Sequence, residues 1–452
     1  MKLLTIIALS LSVHFTHAQE KEPPKKQPNI LLICVDDLRP ELPSFGKDYI
    51  VAPHMEKLFS EGRLFKRHYV QAPTCGISRL ALLTGMYPSD SKLSNGSIIN
   101  HDHTNLPTFP AHFKNNGYFT AAVGKISHYP GNLSGHNWAD TSKQEIPNAW
   151  DSSLQANGEW QHAQGLMHGY ANGKARERGV TPVFETQEAR YPDDAIMDGF
   201  KAQLKQAAKQ KKPWLLAVGL LRPHLPFACH TKHLEHYKDV KLPKIQANEK
   251  PTEGEYWHES GECLKYKQDA DPREDAAHAD AIRKHYAACV TSSDEHIGNI
   301  LDLLKKSNLE NNTIVVLWSD HGWHLGEQKI WGKHTPYAVA LHSPLCIKLP
   351  KTINAGKPSD EVVETVDIYP TLCDLANIKK PAHLEGNSLS KILDNNASKS
   401  DGIAISYWKK TKSVITAKEH KIIAWKNGNE GTVIQRYNLE KDPYEATNLI
   451  KK

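Results

Sequence analysis

The chain of 452 residues has little excess charge of either sign and almost no long apolar run. Fifty-six Lys and Arg stand against 51 Asp and Glu, a formal net charge of +5. That excess is too small for a strongly basic nucleic-acid protein, yet it suits an anionic substrate. Internal repeats and low-complexity tracts are missing too, so neither organises the fold. Disorder is excluded from the other side, because 10 Trp, 16 Tyr and 10 Phe supply ample core material. Cysteines are few and odd in number at 7, so at least one stands outside any intramolecular disulfide.

The single apolar run of note, Leu3 to Val13, follows Lys2 and precedes Thr16-His17-Ala18. It is too short to span a bilayer and has the layout of a cleaved secretory signal. Residues 1–18 are therefore expected to be a signal peptide, 19–28 a polar linker, and the mature protein secreted or periplasmic with no membrane span.

From Asn29 onward, short apolar runs alternate with helical stretches, the pattern of a doubly wound, mostly parallel α/β sheet flanked by helices. Strands are expected at Asn29–Val35, Leu64–Val70, Tyr118–Val123, Trp214–Leu220, Thr313–Trp318 and Leu345–Leu349. Helices are expected between Pro53 and Gly62, between Pro107 and Gly117, over Asp194–Lys211 and over Ala276–Lys306. Pro130–Pro192 and Cys229–Arg273 read as long functional loops. After about residue 400 four short alternating runs predict a small antiparallel subdomain, giving a catalytic α/β domain at 29–400 and a subdomain at 401–452. Cys34, Cys289, Cys346 and Cys373 lie in apolar patterns and read as core thiols. Cys229 and Cys263 flank a polar segment and are the expected disulfide, which leaves Cys75.

Two of the buried strands end in acidic residues: Asp36-Asp37 after the first, and Asp320-His321-Gly322 after Thr313–Trp318. Ligands gather at the carboxyl ends of parallel strands. Adjacent carboxylates there repel unless a cation sits between them, and a hard divalent ion meets that need. A helix cap or solvated turn would account for either dipeptide alone, but poorly for the set. The third piece is Pro73-Thr-Cys-Gly-Ile-Ser-Arg79, where Cys75 opens a helix and Arg79 follows one turn later. Amides at a helix start together with a guanidinium suit an activated cysteine or an anion site; a small buried thiol is the equal alternative.

These segments, with Gly124-Lys125-Ile126-Ser127-His128, Arg222-Pro223-His224 and Lys333-His334, resemble in order and spacing the type I sulfatases of the alkaline-phosphatase-like superfamily. The resemblance runs from Asn29 to Asn448. Val35-Asp36-Asp37-Leu38-Arg39-Pro40 and Trp331-Gly332-Lys333-His334 are most similar to iduronate-2-sulfatases. It implies a Ca²⁺ site of Asp36, Asp37, Asp320 and His321, completed by Cys75 oxidised to formylglycine by a formylglycine-generating enzyme. It further implies that Arg79 and Lys125 hold the formylglycine hydrate and that His128 is the base that collapses the sulfated intermediate. His224 and Lys333 would grip the sulfate, one of them protonating the leaving alcohol. The family pattern has Pro or Ala two residues after the cysteine; this chain has Ile77.

The implied substrate is a sulfated oligo- or polysaccharide, a 2-sulfated uronate or an algal unit. His101, His103 and Trp408 are the expected sugar-binding residues, since aromatic and basic groups together fit a charged ring. Two other readings stay open from sequence: a phosphoester or phosphonate hydrolase on the same scaffold, and a Ca²⁺-dependent sulfoglycan-binding protein with Cys75 unmodified.

Overall fold

The computed structural model describes residues 27–88, 108–128, 146, 148–154, 178–251, 256–395, 398–426 and 429–450. The expected signal peptide, His101 and His103 lie outside them.

Strand β1 (Asn29–Asp36) is buried along its whole length and forms the centre of the sheet. Its side chains alternate between two cores. Leu31, Ile33 and Val35 enter one with the long helix Ala276–Lys306, while Ile30, Leu32 and Cys34 enter the other with helix α2 (Cys75–Thr84). Apolar residues on both faces are what a strand sandwiched between helix layers requires. Removing one of these large side chains would cost about 2–5 kcal/mol, so the register of β1, and with it the position of Asp36, is firmly set.

Around it the strand order is β12-β2-β11-β8-β1-β6-β3-β4, with β2 at Arg63–Tyr69, β3 at Phe119–Gly124, β4 at Ser152–Leu154, β6 at Trp214–Pro223, β8 at Thr313–Ser319, β11 at Leu345–Lys348 and β12 at Ser359–Glu364. Strand β1 pairs parallel with β6 and β8, and β3 pairs parallel with β6; only β11 runs against its neighbours. The carboxyl ends of β1, β3, β6 and β8 therefore open on one side. Helix α1 (Pro53–Glu61) and helix Ala276–Lys306 cover one face, the latter capped by the Asp275 carboxylate accepting from the His278 amide at 2.8 Å.

The small C-terminal sheet is antiparallel in order β13-β14-β15-β16, over Ile403–Trp408, Thr411–Thr416, Glu419–Lys426 and Asn429–Asn438. It docks onto the large sheet through the Tyr407 amide donating to Gln71 O at 2.8 Å and Ser413 Oγ donating to Pro336 O at 3.0 Å. The expected fold class is the observed one. Strand β12 and the helix Ile368–Leu375 were not anticipated: Ser359–Glu364 carries four charged or polar residues among its six, because it is an edge strand. The Cys229–Cys263 disulfide is not formed; all seven cysteines are free and buried.

Candidate active site

Each strand end delivers its residues by a local backbone device. The ladder slips at the end of β1, so that Val35 pairs with Leu220 while Asp36 pairs with Pro223. Asp37 then adopts the left-handed region at φ 61, a conformation Asp tolerates better than most residues. Its amide donates to Asp320 Oδ1 at 3.0 Å and its carbonyl accepts from Tyr286 Oη at 2.9 Å. At the end of β3, Gly124 turns at φ 73, and a Cβ there would meet Gly219 O at 2.3 Å. A Cβ at Gly219 would in turn meet Lys125 O at 2.0 Å, so both glycines are needed for the chain to cross β6 and deliver Lys125. Gly322 serves by closeness alone: a Cβ would fall 2.0 Å from Val339 O.

The structure brings Asp36, Asp37, Cys75, Arg79, Lys125, His128, His224, Asp320, His321 and Lys333 into one region, every one of them buried. Arg79 binds Asp320 Oδ2 through Nε at 3.0 Å and Asp36 Oδ1 through Nη2 at 3.2 Å, and its Nη1 donates to Lys125 O at 2.6 Å. Lys125 Nζ takes the other Asp36 oxygen at 2.7 Å. Lys333 Nζ lies 2.7 Å from Asp37 Oδ1 and 3.2 Å from Cys75 Sγ. His224 Nε2 stands 3.8 Å from Asp37 Oδ2.

One ligand atom each from Asp36, Asp37, Cys75 and His321 falls within 4.8 Å of all the others. Asp320 sits beside this group, 3.6 Å from His321 Nε2, with its oxygens engaged by Arg79 and the Asp37 amide. His321 Nδ1 must donate to the Gly322 carbonyl at 3.0 Å, which leaves Nε2 as a lone pair facing Asp37 Oδ1 at 3.2 Å. Burial holds the ring neutral, its pKa lowered to about 4 against the pull of Asp320. A lone pair and a carboxylate oxygen at that distance need a proton or a metal ion between them. Asp37 Oδ2, buried without a hydrogen bond, is a further oxygen able to ligate a cation. A hard oxygen-rich set with one imidazole fits a divalent cation.

Electrostatics divides the groups by role. Burial and Asp320 push Asp36 up, but Lys125, His224 and Arg79 outweigh them and keep it below the ordinary carboxylate range. Burial raises Asp37 well above that range, against the pull of Lys333. The Cys75 thiol is also driven well up, by burial and then by Asp36. It is thus not an activated thiolate, although it sits where sequence allowed one. His128 is kept neutral by burial and by Lys125. Lys333 stays charged despite burial because of Asp37.

Three neighbours escaped sequence reasoning. Glu262 lies 3.8 Å from Lys333 Nζ and 3.6 Å from His334 Nδ1, and Trp323 places its ring 5.3 Å from Lys333 Nζ. His334 stacks on Trp408 with ring centres 5.3 Å apart and planes at 19°, so the C-terminal sheet meets the residue that follows Lys333. Trp323 follows the Asp320-His321-Gly322 run directly and could have been suspected. Glu262 sits in an aperiodic loop that offers no signal.

A family model described as sulfatase matches residues 28–378, and one described as N-sulphoglucosamine sulphohydrolase, C-terminal, matches residues 326–452. The chain belongs to the sulfatase family. It is accordingly a sulfuric ester hydrolase. A sulfatase of Formosa agariphila is 28% identical, covering 99% of this chain and 88% of the relative. The iduronate 2-sulfatase of Mus musculus is 29% identical over 78% of this chain and 69% of its own. A solved structure of a protein bound to its substrate D-glucosamine-2-N,6-O-disulfate superposes with a TM-score of 0.73 at 22% identity, covering 94% of each chain. The sulfatase thus shares its fold with a protein that holds a sulfated sugar.

Proposed function

We propose that this sulfatase removes sulfate from the end of a sulfated glycan, using Ca²⁺ and a formylglycine made from Cys75. The observation that carries the reading is the setting of Cys75 Sγ, 3.2 Å from both His321 Nε2 and Lys333 Nζ and ringed by buried carboxylates. A raised thiol is a poor nucleophile there, whereas an aldehyde hydrate brings a neutral oxygen acid. When present, that hydrate would supply the attacking oxygen, and the cation would offset the charge of the ester.

The charge balance supports the ion. With every carboxylate ionised, as a bound cation would hold them, Asp36, Asp37, Asp320 and Glu262 oppose Arg79, Lys125 and Lys333, an excess of one negative charge. A divalent cation held by Asp36, Asp37, Asp320, His321 and residue 75 would turn this into one positive charge, the complement of a sulfate monoester. Lys333 and His224 then grip the sulfate oxygens. His224 Nδ1 donates to the Leu225 carbonyl at 2.6 Å, which turns Nε2 toward the pocket. Once Nε2 is also protonated, His224 would be the proton donor to the departing alcohol, because Asp37 pins the proton on Lys333. His128, held neutral, is the base for residue 75.

Trp408 and His334 form a stacked wall suited to a sugar ring, and iduronate 2-sulfatase among the relatives points to the same substrate class. We read residues 29–400 as the catalytic unit and 401–452 as the subdomain that supplies this wall. The leader at 1–18 would send the enzyme out of the cytoplasm. Cys75, Ile77 and Arg79 are all buried, so a formylglycine-generating enzyme would have to meet this segment before it folds.

Mass spectrometry of the tryptic peptide His68–Arg79, from protein made in its native host, tests the reading. An aldehyde at residue 75, with Ca²⁺-dependent release of sulfate from a sulfated saccharide, is expected. An intact thiol, or faster cleavage of a phosphate or phosphonate ester than of the matching sulfate, would overturn it.

A further inference from the structure

Outside the active site, a cleft of about 410 Å³ opens between the large sheet and the C-terminal subdomain. Its lining is aromatic at one side. The His342 ring packs against Tyr69, with centres 5.2 Å apart and planes at 32°, and edge-on against Phe45 at 5.8 Å and 75°. His342 Nε2 donates to the Lys66 carbonyl at 2.8 Å, and burial lowers the ring to about 4, so it stays neutral. The rest of the lining is cationic. Lys66 and Arg67 come from strand β2, and Lys47 from the loop between β1 and α1. Lys47 Nζ donates to Tyr444 Oη at 3.0 Å, which ties this rim to the subdomain.

A second cleft of about 470 Å³ adjoins the first, sharing Arg39, Lys47 and Tyr444 and adding Lys241 and Lys244. Glu41 and Glu327 are each bound by Arg39 at 2.9 Å, and Arg283 pairs with Asp280 at 3.1 Å. Among the described residues no carboxylate pairs with Lys47, Lys66, Arg67, Lys241 or Lys244. Arg67 Nη1 reaches only the Asp360 carbonyl, at 3.4 Å. Those cations are opposed by Asp48 and Asp360 alone, so the joined clefts carry a clear positive excess. Neither cleft is lined by a residue of the active site. The first nevertheless backs onto it: Arg39 stands two residues after Asp37, and Val339 O packs where a Cβ at Gly322 would fall.

Aromatic rings beside unpaired cations match one ligand chemistry well. The carbon face of a sugar packs on the rings, while sulfate groups around it meet Lys and Arg. Each cleft also falls within the roughly 300–1,000 Å³ of sites that take small organic ligands. We propose that the joined clefts bind an internal stretch of a sulfated glycan and hold the polymer on the enzyme. The choice of occupant rests on the function proposed above. A second contact on the same chain would raise the effective concentration of its end at the active site.

The test is isothermal titration of the full-length protein with a heparin decasaccharide, in about 0.15 M NaCl to suppress long-range attraction. Lys66→Glu combined with Arg67→Glu should weaken binding about tenfold or more. Lys205→Glu combined with Lys209→Glu makes the same change of net charge at exposed lysines that line neither cleft, and should weaken it less than about twofold. Lys66→Gln with Arg67→Gln should act in the same direction by less, which serves if the reversed pair folds poorly. Fully desulfated heparin should bind about tenfold more weakly than heparin. Equal losses from the cleft and control pairs, no loss from either cleft variant, no binding of heparin by the parent, or tighter binding of a DNA duplex of matched charge would overturn the proposal. None of these readouts needs an aldehyde at residue 75 or any turnover. A protein that releases sulfate but fails here loses only the cleft, whereas one that binds here but cleaves no sulfated saccharide loses only the function proposed above.

Discussion

Arg79→Met is the substitution that tests the electrostatic design of the site most directly. The guanidinium is fully buried and bridges Asp36 and Asp320, and its Nη1 also meets the carbonyls of Lys125 at 2.6 Å and Ile126 at 3.2 Å. Methionine fills similar space but leaves Asp36 with Lys125 as its remaining ion-pair partner and Asp320 with the Asp37 amide and a neutral His321. Breaking a buried ion pair by removing one partner costs about 3–5 kcal/mol. The two stranded carbonyls push the expected cost toward the upper end. Urea denaturation followed by tryptophan fluorescence in the presence of a chelator reads this cost. A double-mutant cycle with Asp320→Asn isolates the pair: the double variant should be more stable than additivity predicts by about 1–3 kcal/mol. Arg79→Met within about 1 kcal/mol of the parent, or an additive cycle, would refute the claim that Arg79 holds these carboxylates ionised.

Chelation of divalent cations should lower the melting temperature, and Ca²⁺ should restore it, since a ligand that binds the native state alone at 100 times its Kd adds about 2.7 kcal/mol; a melting point indifferent to chelator and Ca²⁺ would argue against the cluster as a metal site. Trp408→Ala should raise KM for a sulfated sugar roughly two- to tenfold with kcat little changed, because the ring stacks on His334 rather than on reacting atoms; a fall in kcat alone would contradict this. Burial and then Asp367 raise Glu364 to about 8, and burial raises Asp367 to about 7. The folded state therefore binds protons more tightly than the unfolded chain, and the stability they lend below pH 4 is lost as pH rises through 7 to 8. Glu364→Gln should flatten that decline between pH 5 and 8.5, seen as a smaller difference in urea midpoints, and an unchanged slope would count against the assignment.

Most of the sheet was readable because a strand buried on both faces is a continuous apolar run. Asn29–Asp36, Trp214–Pro223 and Thr313–Ser319 have that form. Strand β12 does not, since four of its six residues are charged or polar and such a segment reads as loop. The charged residues at strand ends were legible for a related reason: a carboxylate directly after six apolar residues, as Asp36 follows Ile30–Val35, has no place in a core without a partner. Glu262 and His334 were harder. Their roles arise where segments distant in sequence meet, Glu262 with Lys333 and His334 with Trp408, and no local pattern records such a meeting. The cysteines show the same limit, since flanking a polar segment favoured Cys263 as partner of Cys229, while in the structure both thiols are free and buried in the core.

In the proposed mechanism the stacking of Trp408 on His334 gives one wall of the pocket to strand β13, whereas residue 75 opens helix α2 and the residues that would hold the cation follow strands of the large sheet. Chemistry and recognition are therefore carried by parts of the chain that can vary separately. A hairpin exchanged between relatives at 403–416 would bring a new sugar-facing surface to an unchanged reaction centre, and the docking contacts at Gln71 and Pro336 are made to backbone carbonyls, which any sequence retains. Diversity of substrate within such a scaffold needs no rebuilding of the site that cleaves the ester.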